Sequence, residues 1–219
     1  FWKGDDPTAC LEATMRSGRE DEFTADLRWV IARWQRIRGI DPIPQLDRAL
    51  KNLERPSFQN RDEYGWAGRH SQTWRIRAYW ALEQEGSPEQ AVSKCLEFAE
   101  MALKANPRSA EARLDSAYGN LLVFYMARQK QRLDPRPLRK AVAEAQEAHR
   151  NRPPWAAALA CLAKGLLCLL EADLDPDPPK GLATIRSHLV QLERLRPGHP
   201  EDRPLWERLG KLEKITPAL

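Results

Sequence analysis

The sequence has few of the residues from which redox and metal sites are built. Its four cysteines, Cys10, Cys95, Cys161 and Cys168, include no CxxC pair, the spacing that many zinc sites and thiol–disulfide enzymes use. Cys161 and Cys168 are seven residues apart, so they share one face of a helix. We therefore interpret the cysteines as small buried side chains of a protein from a reducing compartment.

Recognisable catalytic motifs are also lacking. The four histidines are scattered along the chain, and there is no HExxH, no GxSxG, no phosphate-binding glycine loop and no dinucleotide-binding fingerprint. The aspartates of residues 173–177 lack the glycine bend and the distant glutamate of a calcium loop, so they favour a turn with helix caps. The sequence predicts a protein that is not an enzyme and that needs no cofactor or metal.

Long apolar runs and a large charge of one sign are absent as well. The most apolar stretch, residues 155–170, contains Lys164 and is shorter than the ~20 residues of a membrane span. The net charge of +4 is mild for a dedicated nucleic-acid-binding domain. No signal peptide is visible and the chain does not begin with Met, so we expect a piece of a longer cytoplasmic protein, without a membrane partner.

Proline, by contrast, recurs at regular intervals. Asp-Pro or Ser-Pro pairs end at Pro42, Pro88, Pro135 and Pro176, with intervals of 46, 47 and 41 residues. A second series consists of Pro56, Pro107, Pro153 and Pro197, with intervals of 51, 46 and 44 residues. Asp or Ser followed by Pro favours a helix start, whereas the residue before Pro is disfavoured in a helix and tends to end one.

The segments between these prolines carry apolar residues at helical spacing and no sustained two-residue alternation, so they predict helices and no strands. The predicted helices are residues 7–17, 22–38, 43–54, 69–85, 88–105, 109–132, 136–151, 154–172 and 178–195, with a short polar helix near 203–213. Ser57–Gly68 is expected to be an irregular insertion. Helical hairpins repeated in this way are typical of a solenoid, in which no single unit can bury its apolar face alone.

The predicted organisation is a single helical-repeat domain over residues 1–219, with about four hairpins. Gly4-Asp5-Asp6-Pro7 repeats the signature Gly39-Ile40-Asp41-Pro42, so Phe1-Trp2-Lys3 would end a helix of a partial N-terminal repeat. The strongly charged residues 201–214 would form a C-terminal capping helix.

The junction Asn106-Pro107-Arg108-Ser109-Ala110 resembles that between tetratricopeptide repeats. In that family Pro ends the second helix, and small residues occupy fixed positions where helices approach closely. The matching positions here are Ala102, Ala117, Ala141, Ala148 and the pair Leu162-Ala163. The resemblance implies an all-α, right-handed superhelical α-solenoid of helix-turn-helix repeats.

This sequence departs from the tetratricopeptide pattern in period and in three positions. The family period is 34 residues, against 41 to 51 here; Cys95 and Ile185 replace Ala, and Arg113 stands where Trp is common. HEAT-like repeats have a period closer to this one and remain an alternative. The Gly-x-Asp-Pro and Asn-Pro-Arg turns also look like those in the C-terminal repeat regions of some bacterial serine/threonine kinases. That weaker resemblance implies a bacterial signalling protein as the parent.

In a tetratricopeptide array the first helix of each pair lines a concave groove. The resemblance thus implies the following groove residues: Trp29, Arg33, Arg36, Gln72, Arg75, Tyr79, Glu111 and Tyr118. The guanidinium group of arginine binds a carboxylate through two parallel N–H groups. Aromatic rings supply flat contact area with little loss of side-chain entropy. We therefore predict a protein–protein interaction or regulatory module whose partner is a protein or peptide, an acidic one included.

Three alternatives stay open from the sequence. The array could be a spacer or regulator whose groove is filled by a neighbouring domain of the same protein. It could bind single-stranded nucleic acid through arginines of residues 28–38 and 69–77 stacked beside Trp or Tyr, which the balanced charge disfavours. Lastly, the tryptophans could simply pack between helices.

Overall fold

The computed structural model describes residues 8–10, 13, 22–54 and 63–215, and all regular structure within them is helical, with no strand. Residues 8–10 and 13 are helical; the rest of the predicted helix 7–17, and Phe1-Trp2-Lys3, lie outside the described residues. We label the helices of residues 22–215 in chain order: α1 Glu22–Ile37, α2 Ile43–Leu53, α3 Glu63–Glu83, α4 Glu89–Ala105, α5 Ala110–Gln129, α6 Pro135–Asn151, α7 Ala156–Glu171, α8 Pro178–Leu195 and α9 Arg203–Ile215.

The helices group into two compact units, Phe1–Pro107 and Arg108–Leu219. In unit 1, α1 packs against α2 and α3, α2 against α3, and α3 against α4. In unit 2, α5 packs against α6 and α7, α6 against α7, α7 against α8, and α9 against both α7 and α8. The predicted all-α architecture with neighbouring helices in pairs is confirmed. A single continuous repeat domain stays a prediction.

The turns inside the four hairpins end the first helix in the same way. One residue of each turn has left-handed backbone: φ is 71° at Gly39, 54° at Glu85, 55° at Gln131 and 56° at Asp173. The N–H of the next residue bonds to the carbonyl five residues earlier in every case, at 2.8 to 2.9 Å. This is the Schellman pattern, which satisfies carbonyls at a helix end. The turns therefore repeat at intervals of 46, 46 and 42 residues.

The second helices also share one ending. Asn106, Arg152 and Arg196 precede prolines and have φ of −140°, −144° and −148°. Each still donates its N–H to the carbonyl four residues earlier. These three ends follow the prediction from proline, because Pro pushes the residue before it out of the helical region. Pro56 lies outside the described residues.

The core repeats with the same interval. The buried positions of the second helices are Leu46, Ala49 and Leu53 on α2, Val92, Cys95 and Ala99 on α4, Leu138, Ala141 and Ala145 on α6, and Ile185 and Leu189 on α8. Every small residue that the resemblance singled out is also buried, with Ala102, Ala117, Ala148 and Ala163 fully so. Two helices approach closely at Gly165, where an added Cβ would lie 2.7 Å from a methyl carbon of Val142. Glycine there lets α6 and α7 pack together.

The residue 173–177 turn forms caps, as predicted. The Asp175 carboxylate accepts from the Asp177 N–H at 3.0 Å, and the Asp177 carboxylate accepts from the Lys180 N–H at 3.2 Å. Within residues 8–10, 13, 22–54 and 63–215, no three His, Cys, Asp or Glu side chains come together to hold a metal ion.

The start of α3 differs most from the prediction, and the helix predicted for residues 109–132 ends at Gln129. Helix α3 begins at Glu63, so the residues from 63 to 68 are not the irregular insertion expected for Ser57–Gly68; the residues before 63 in that segment lie outside the described part. Gly65 and Gly68 weaken the local helical preference by about 1 kcal/mol each. Tertiary contacts oppose this cost, since the Trp66 indole donates to the Leu53 carbonyl at 2.9 Å.

The prediction that all the cysteines are buried is wrong for Cys10, which is exposed, whereas Cys95, Cys161 and Cys168 are buried. Ala9 and Ala13 are exposed beside it, so this helical segment turns that face outward. None of the described helices is both long and apolar enough to cross a membrane.

Candidate binding surface

Helices α1 and α3 lie side by side and run in the same direction. Arg69 on α3 bonds to Asp26 near the start of α1 at 2.9 Å, and Arg36 near the end of α1 bonds to Glu83 at the end of α3 at 2.5 Å. We call the surface between them the α1–α3 seam. It is lined by Asp26, Trp29, Arg33 and Arg36 from α1 and by Arg69, Gln72, Tyr79 and Glu83 from α3, which helical spacing places on facing sides.

Five of the predicted groove residues lie along this seam, and four of them form arginine–aromatic contacts. The Arg36 guanidinium lies 5.1 Å from the Tyr79 ring centroid, on the neighbouring helix, and that of Arg33 lies 5.8 Å from the Trp29 ring on its own helix. Both distances are within the range of cation–π attraction. Trp29 also packs against the buried cluster that contains Leu46, so one edge of its ring belongs to the core.

Gln72 and Arg75 lie on the same helix as Tyr79 and are half-buried. On the side of α3 that contacts α4, Ser71 donates its hydroxyl to the Cys95 carbonyl at 2.9 Å; Gln72 lies one residue further round the helix, and Arg75, four residues after Ser71, lies close to that side. Six of the eight predicted groove residues therefore lie on one pair of helices in unit 1.

Glu111 and Tyr118, the other two, lie on α5 in unit 2 and have partners there. Glu111 forms an ion pair with Arg152 at the end of α6. The buried Tyr118 donates its hydroxyl to the Ala157 carbonyl at 3.3 Å, and its ring lies 5.6 Å from the Lys164 ammonium. Tyr118 thus helps to pack unit 2, whereas Glu111 belongs to an exposed ion pair; a groove role for either residue stays a prediction.

The α1–α3 seam with its neighbour Arg75 has more positive than negative groups. Arg33, Arg36, Arg69 and Arg75 stand against the carboxylates of Asp26 and Glu83. Side-chain exposures of 13% for Arg36 and 28% for Arg69 place these cations in surroundings where water screens charge less than on an open surface. The seam therefore contains guanidinium groups that water reaches only in part.

Sequence reasoning missed a polar cluster in unit 2, built on α5, α7 and α9. Arg208 donates to both Glu171 carboxylate oxygens, at 2.7 and 3.0 Å, and to the Cys168 sulfur at 3.4 Å. Arg128 also reaches Glu171, at 3.1 Å, and the Cys168 thiol lies 3.6 Å from the Tyr125 hydroxyl. We call these five residues the α7 cluster.

The pKa values of the α7 cluster reflect burial and pairing. Burial alone would raise the pKa of Glu171, but hydrogen bonds from Arg208 and Arg128 outweigh it and lower that pKa. Burial raises the pKa of the Tyr125 hydroxyl well above its ordinary value. At neutral pH the cluster therefore holds a carboxylate between two guanidinium groups beside a neutral phenol.

A periodic signal could have found this cluster. Arg36 and Arg128 each stand three residues before the left-handed residue of their turn, and Glu83 and Glu171 each stand two residues before the next one. The Arg36–Glu83 and Arg128–Glu171 pairs therefore occupy equivalent repeat positions, one in each unit.

His70 forms a second feature that the sequence did not indicate. Its buried ring stacks at 4.4 Å on Phe98 and lies 4.4 Å from the Trp66 ring. Burial, with the nearby positive charge of Lys94, lowers its pKa to about 4, and neither ring nitrogen has a hydrogen-bond partner within the described part of the chain. At pH 7 His70 is neutral and acts as part of an aromatic core.

No family model, curated protein or solved structure matches this chain.

Proposed function

We propose that this chain is a tetratricopeptide-like α-solenoid that serves as a non-catalytic protein-interaction module. Four equivalent Schellman turns, equivalent proline-linked helix ends and a core repeated every 42 to 46 residues support repeat architecture. In each unit the first helices of successive hairpins contact each other, α1 with α3 and α5 with α7. This supports the tetratricopeptide arrangement over one in which each helix contacts only the partner in its own hairpin.

We place the binding site at the α1–α3 seam and its neighbour Arg75. The observation that carries this proposal is the pair of arginine–aromatic stacks, Arg33 on Trp29 and Arg36 on Tyr79. Stacking on a ring holds each guanidinium in one orientation, and the ring supplies flat apolar area beside it. Such a surface fits an extended segment that presents a carboxylate next to an apolar side chain.

Because this surface lies on two helices, we expect the module to lose little conformational entropy when it binds a peptide. The cations sit on α1 and α3, which are fixed against each other by the Asp26–Arg69 and Arg36–Glu83 bonds. Little side-chain entropy is then lost on the module's side when a peptide binds. The partner could equally be a segment of a neighbouring domain in the same protein, as in a regulatory region of a cytoplasmic bacterial signalling protein.

A displayed library of random peptides tests the proposal. Selection on the intact chain should enrich peptides that combine Asp or Glu with an apolar residue. Binding of the enriched peptides, measured by fluorescence polarisation, should fall at least about tenfold in an Arg33→Glu/Arg75→Glu variant, because reversing charges at a complementary site adds repulsion.

The matched control is Arg48→Glu/Lys51→Glu, which makes the same charge change at exposed positions of α2 in the same unit. Circular dichroism and melting should first show that both variants keep the parent's helicity. If both variants lost the same affinity for the peptides, the loss would be explained by net charge and not by the α1–α3 seam. Enrichment of basic or charge-free peptides would contradict the site.

A further inference from the structure

The chain's mild net charge hides a strongly basic segment in unit 2. Residues 128–152 contain eight Lys or Arg and three Asp or Glu, an excess of five, which exceeds the +4 of the whole chain. The remainder of the sequence is therefore almost balanced, and the positive field is concentrated at the α5–α6 hairpin.

Three cations of this hairpin lie exposed without a counter-charge. Arg132, Arg139 and Lys140 form no ion pair within the described part of the chain. By contrast, Arg128 and Arg136 are paired with Glu171 and Asp134. The charges of Arg132, Arg139 and Lys140 are thus not neutralised by any described residue.

A large apolar side chain stands among these cations. Leu133, in the turn that joins α5 to α6, is 60% exposed. We call Arg132, Leu133, Arg139 and Lys140 the α5–α6 tip. An isolated exposed leucine is ordinary, but one placed at the end of a hairpin and flanked by basic residues is the combination that interfacial binding uses.

The tip is held in place by hydrogen bonds on both sides of Leu133. The Arg132 N–H bonds to the Ala127 carbonyl at 2.8 Å and closes α5. The Asp134 carboxylate accepts from the Arg136 N–H at 3.0 Å and caps the start of α6. Arg139 and Lys140 then follow on α6, about 6–8 Å along its axis from Pro135.

We propose that the α5–α6 tip docks the protein on an anionic lipid surface. Lipid phosphate and carboxylate groups would attract the cations, each contributing a factor of about five to binding, while Leu133 enters the headgroup region. A phosphate backbone of nucleic acid would match the cations but would give Leu133 no role. The tip also contains no aromatic ring on which a single strand could stack.

Vesicle sedimentation with the full chain tests this assignment. The chain should bind vesicles of phosphatidylcholine mixed with phosphatidylserine, bind poorly to phosphatidylcholine alone, and lose affinity as salt rises. Arg139→Gln/Lys140→Gln should weaken binding to the mixed vesicles roughly ten- to thirtyfold. Leu133→Ser should weaken it about three- to tenfold, because an apolar side chain no longer enters the interface.

Two control variants isolate the tip. Arg194→Gln/Lys211→Gln removes the same charge from exposed positions of α8 and α9, and Ile40→Ser removes an exposed apolar side chain from the equivalent turn of unit 1. Neither should change binding by more than about twofold.

Three results would overturn the proposal. The first is no binding to the mixed vesicles at low salt. The second is equal loss in the Arg194→Gln/Lys211→Gln control, which would leave only net charge as the cause. The third is duplex DNA that binds the chain and depends on Arg139 and Lys140 but not on Leu133, which would assign the tip to nucleic acid. Peptide binding at the α1–α3 seam is measured separately and does not depend on any of these outcomes.

Discussion

The two units contain the same ion pair at equivalent repeat positions, yet they use it differently. In unit 1, Arg36 bonds to Glu83 and stacks on Tyr79, and the Glu83 side chain stays 44% exposed. In unit 2, Glu171 is 20% exposed and receives a second guanidinium, Arg208 from α9. An equivalent backbone thus supports an open, basic seam in one unit and a closed polar lock in the other.

The difference shows what an additional helix does to a repeat. Helix α9 places Leu205 and Leu209 in the core of unit 2 and brings Arg208 against Cys168 and Glu171. The polar groups at this position become structural because they are buried with partners. In unit 1 the Glu83 side chain stays 44% exposed, although that of its partner Arg36 is only 13% exposed.

The largest expected effect is from removing the carboxylate of each pair. Glu171→Gln should destabilise the protein by about 1–3 kcal/mol, because it leaves the half-buried Arg208 without its counter-charge. Glu83→Gln should cost less, about 1 kcal/mol or below, because the Glu83 side chain is 44% exposed and water screens its attraction to Arg36. Denaturant unfolding followed by circular dichroism measures both. Glu207→Gln, which disrupts the exposed Arg203–Glu207 pair on α9, is the control, and equal losses at positions 83 and 171 would contradict the comparison.

A second difference between the units concerns titration. His70 on α3 of unit 1 corresponds to Ala158 on α7 of unit 2, 88 residues later, and both are buried. The pKa of His70 is about 4 in the folded protein and near 6.5 in an unfolded chain. Between these values the unfolded chain binds more protons, so stability is lost as pH falls from about 6.5 towards 4.

Between pH 7 and pH 5 the parent should therefore lose about 1–2 kcal/mol more stability than a His70→Leu variant. Urea unfolding at the two pH values measures this difference. Lys94→Gln should reduce the parent's loss, since the Lys94 charge helps to lower the His70 pKa. A His70→Leu variant with the parent's full acid sensitivity would show that His70 is not the titrating group.

The smallest expected effect compares the turns of the two units. Gly39 in unit 1 and Gln131 in unit 2 have φ of 71° and 55°, a region in which a Cβ is unfavourable. Gln131→Gly should stabilise the protein by about 0.5–1 kcal/mol and Gly39→Ala should destabilise it by about as much. Thermal unfolding should show melting temperatures shifted in opposite directions by about 1–4 °C. Shifts of the same sign would mean that other contacts decide these turns.

Most helix boundaries followed from the sequence because they rest on local chemistry. The ends at Asn106, Arg152 and Arg196 are set by the proline that follows each of them. The start of α3 did not follow, since two glycines oppose a helix that Trp66 stabilises by reaching Leu53, 13 residues away. Local propensity is outweighed there by contacts that no short window contains.

The residues of the candidate site also fall into some that the sequence placed correctly and others whose partners it could not indicate. Helical spacing was enough to place Trp29, Arg33 and Arg36 on one face of α1. It could not show that Arg36 pairs with Glu83, 47 residues away, or that Tyr118 serves packing in unit 2. Those partners are chosen by how helices lie against each other.

The sequence by itself determined the helical hairpins and their period, because prolines, caps and apolar spacing act over a few residues. Only the tertiary structure decided which of the many charged groups neutralise each other and which remain exposed. Charge pairing depends on distances between residues about 40 positions apart, as between Arg128 and Glu171, and composition alone does not contain those distances. For this reason the basic α5–α6 tip, invisible in a net charge of +4, became apparent only when the partners of its neighbours were known.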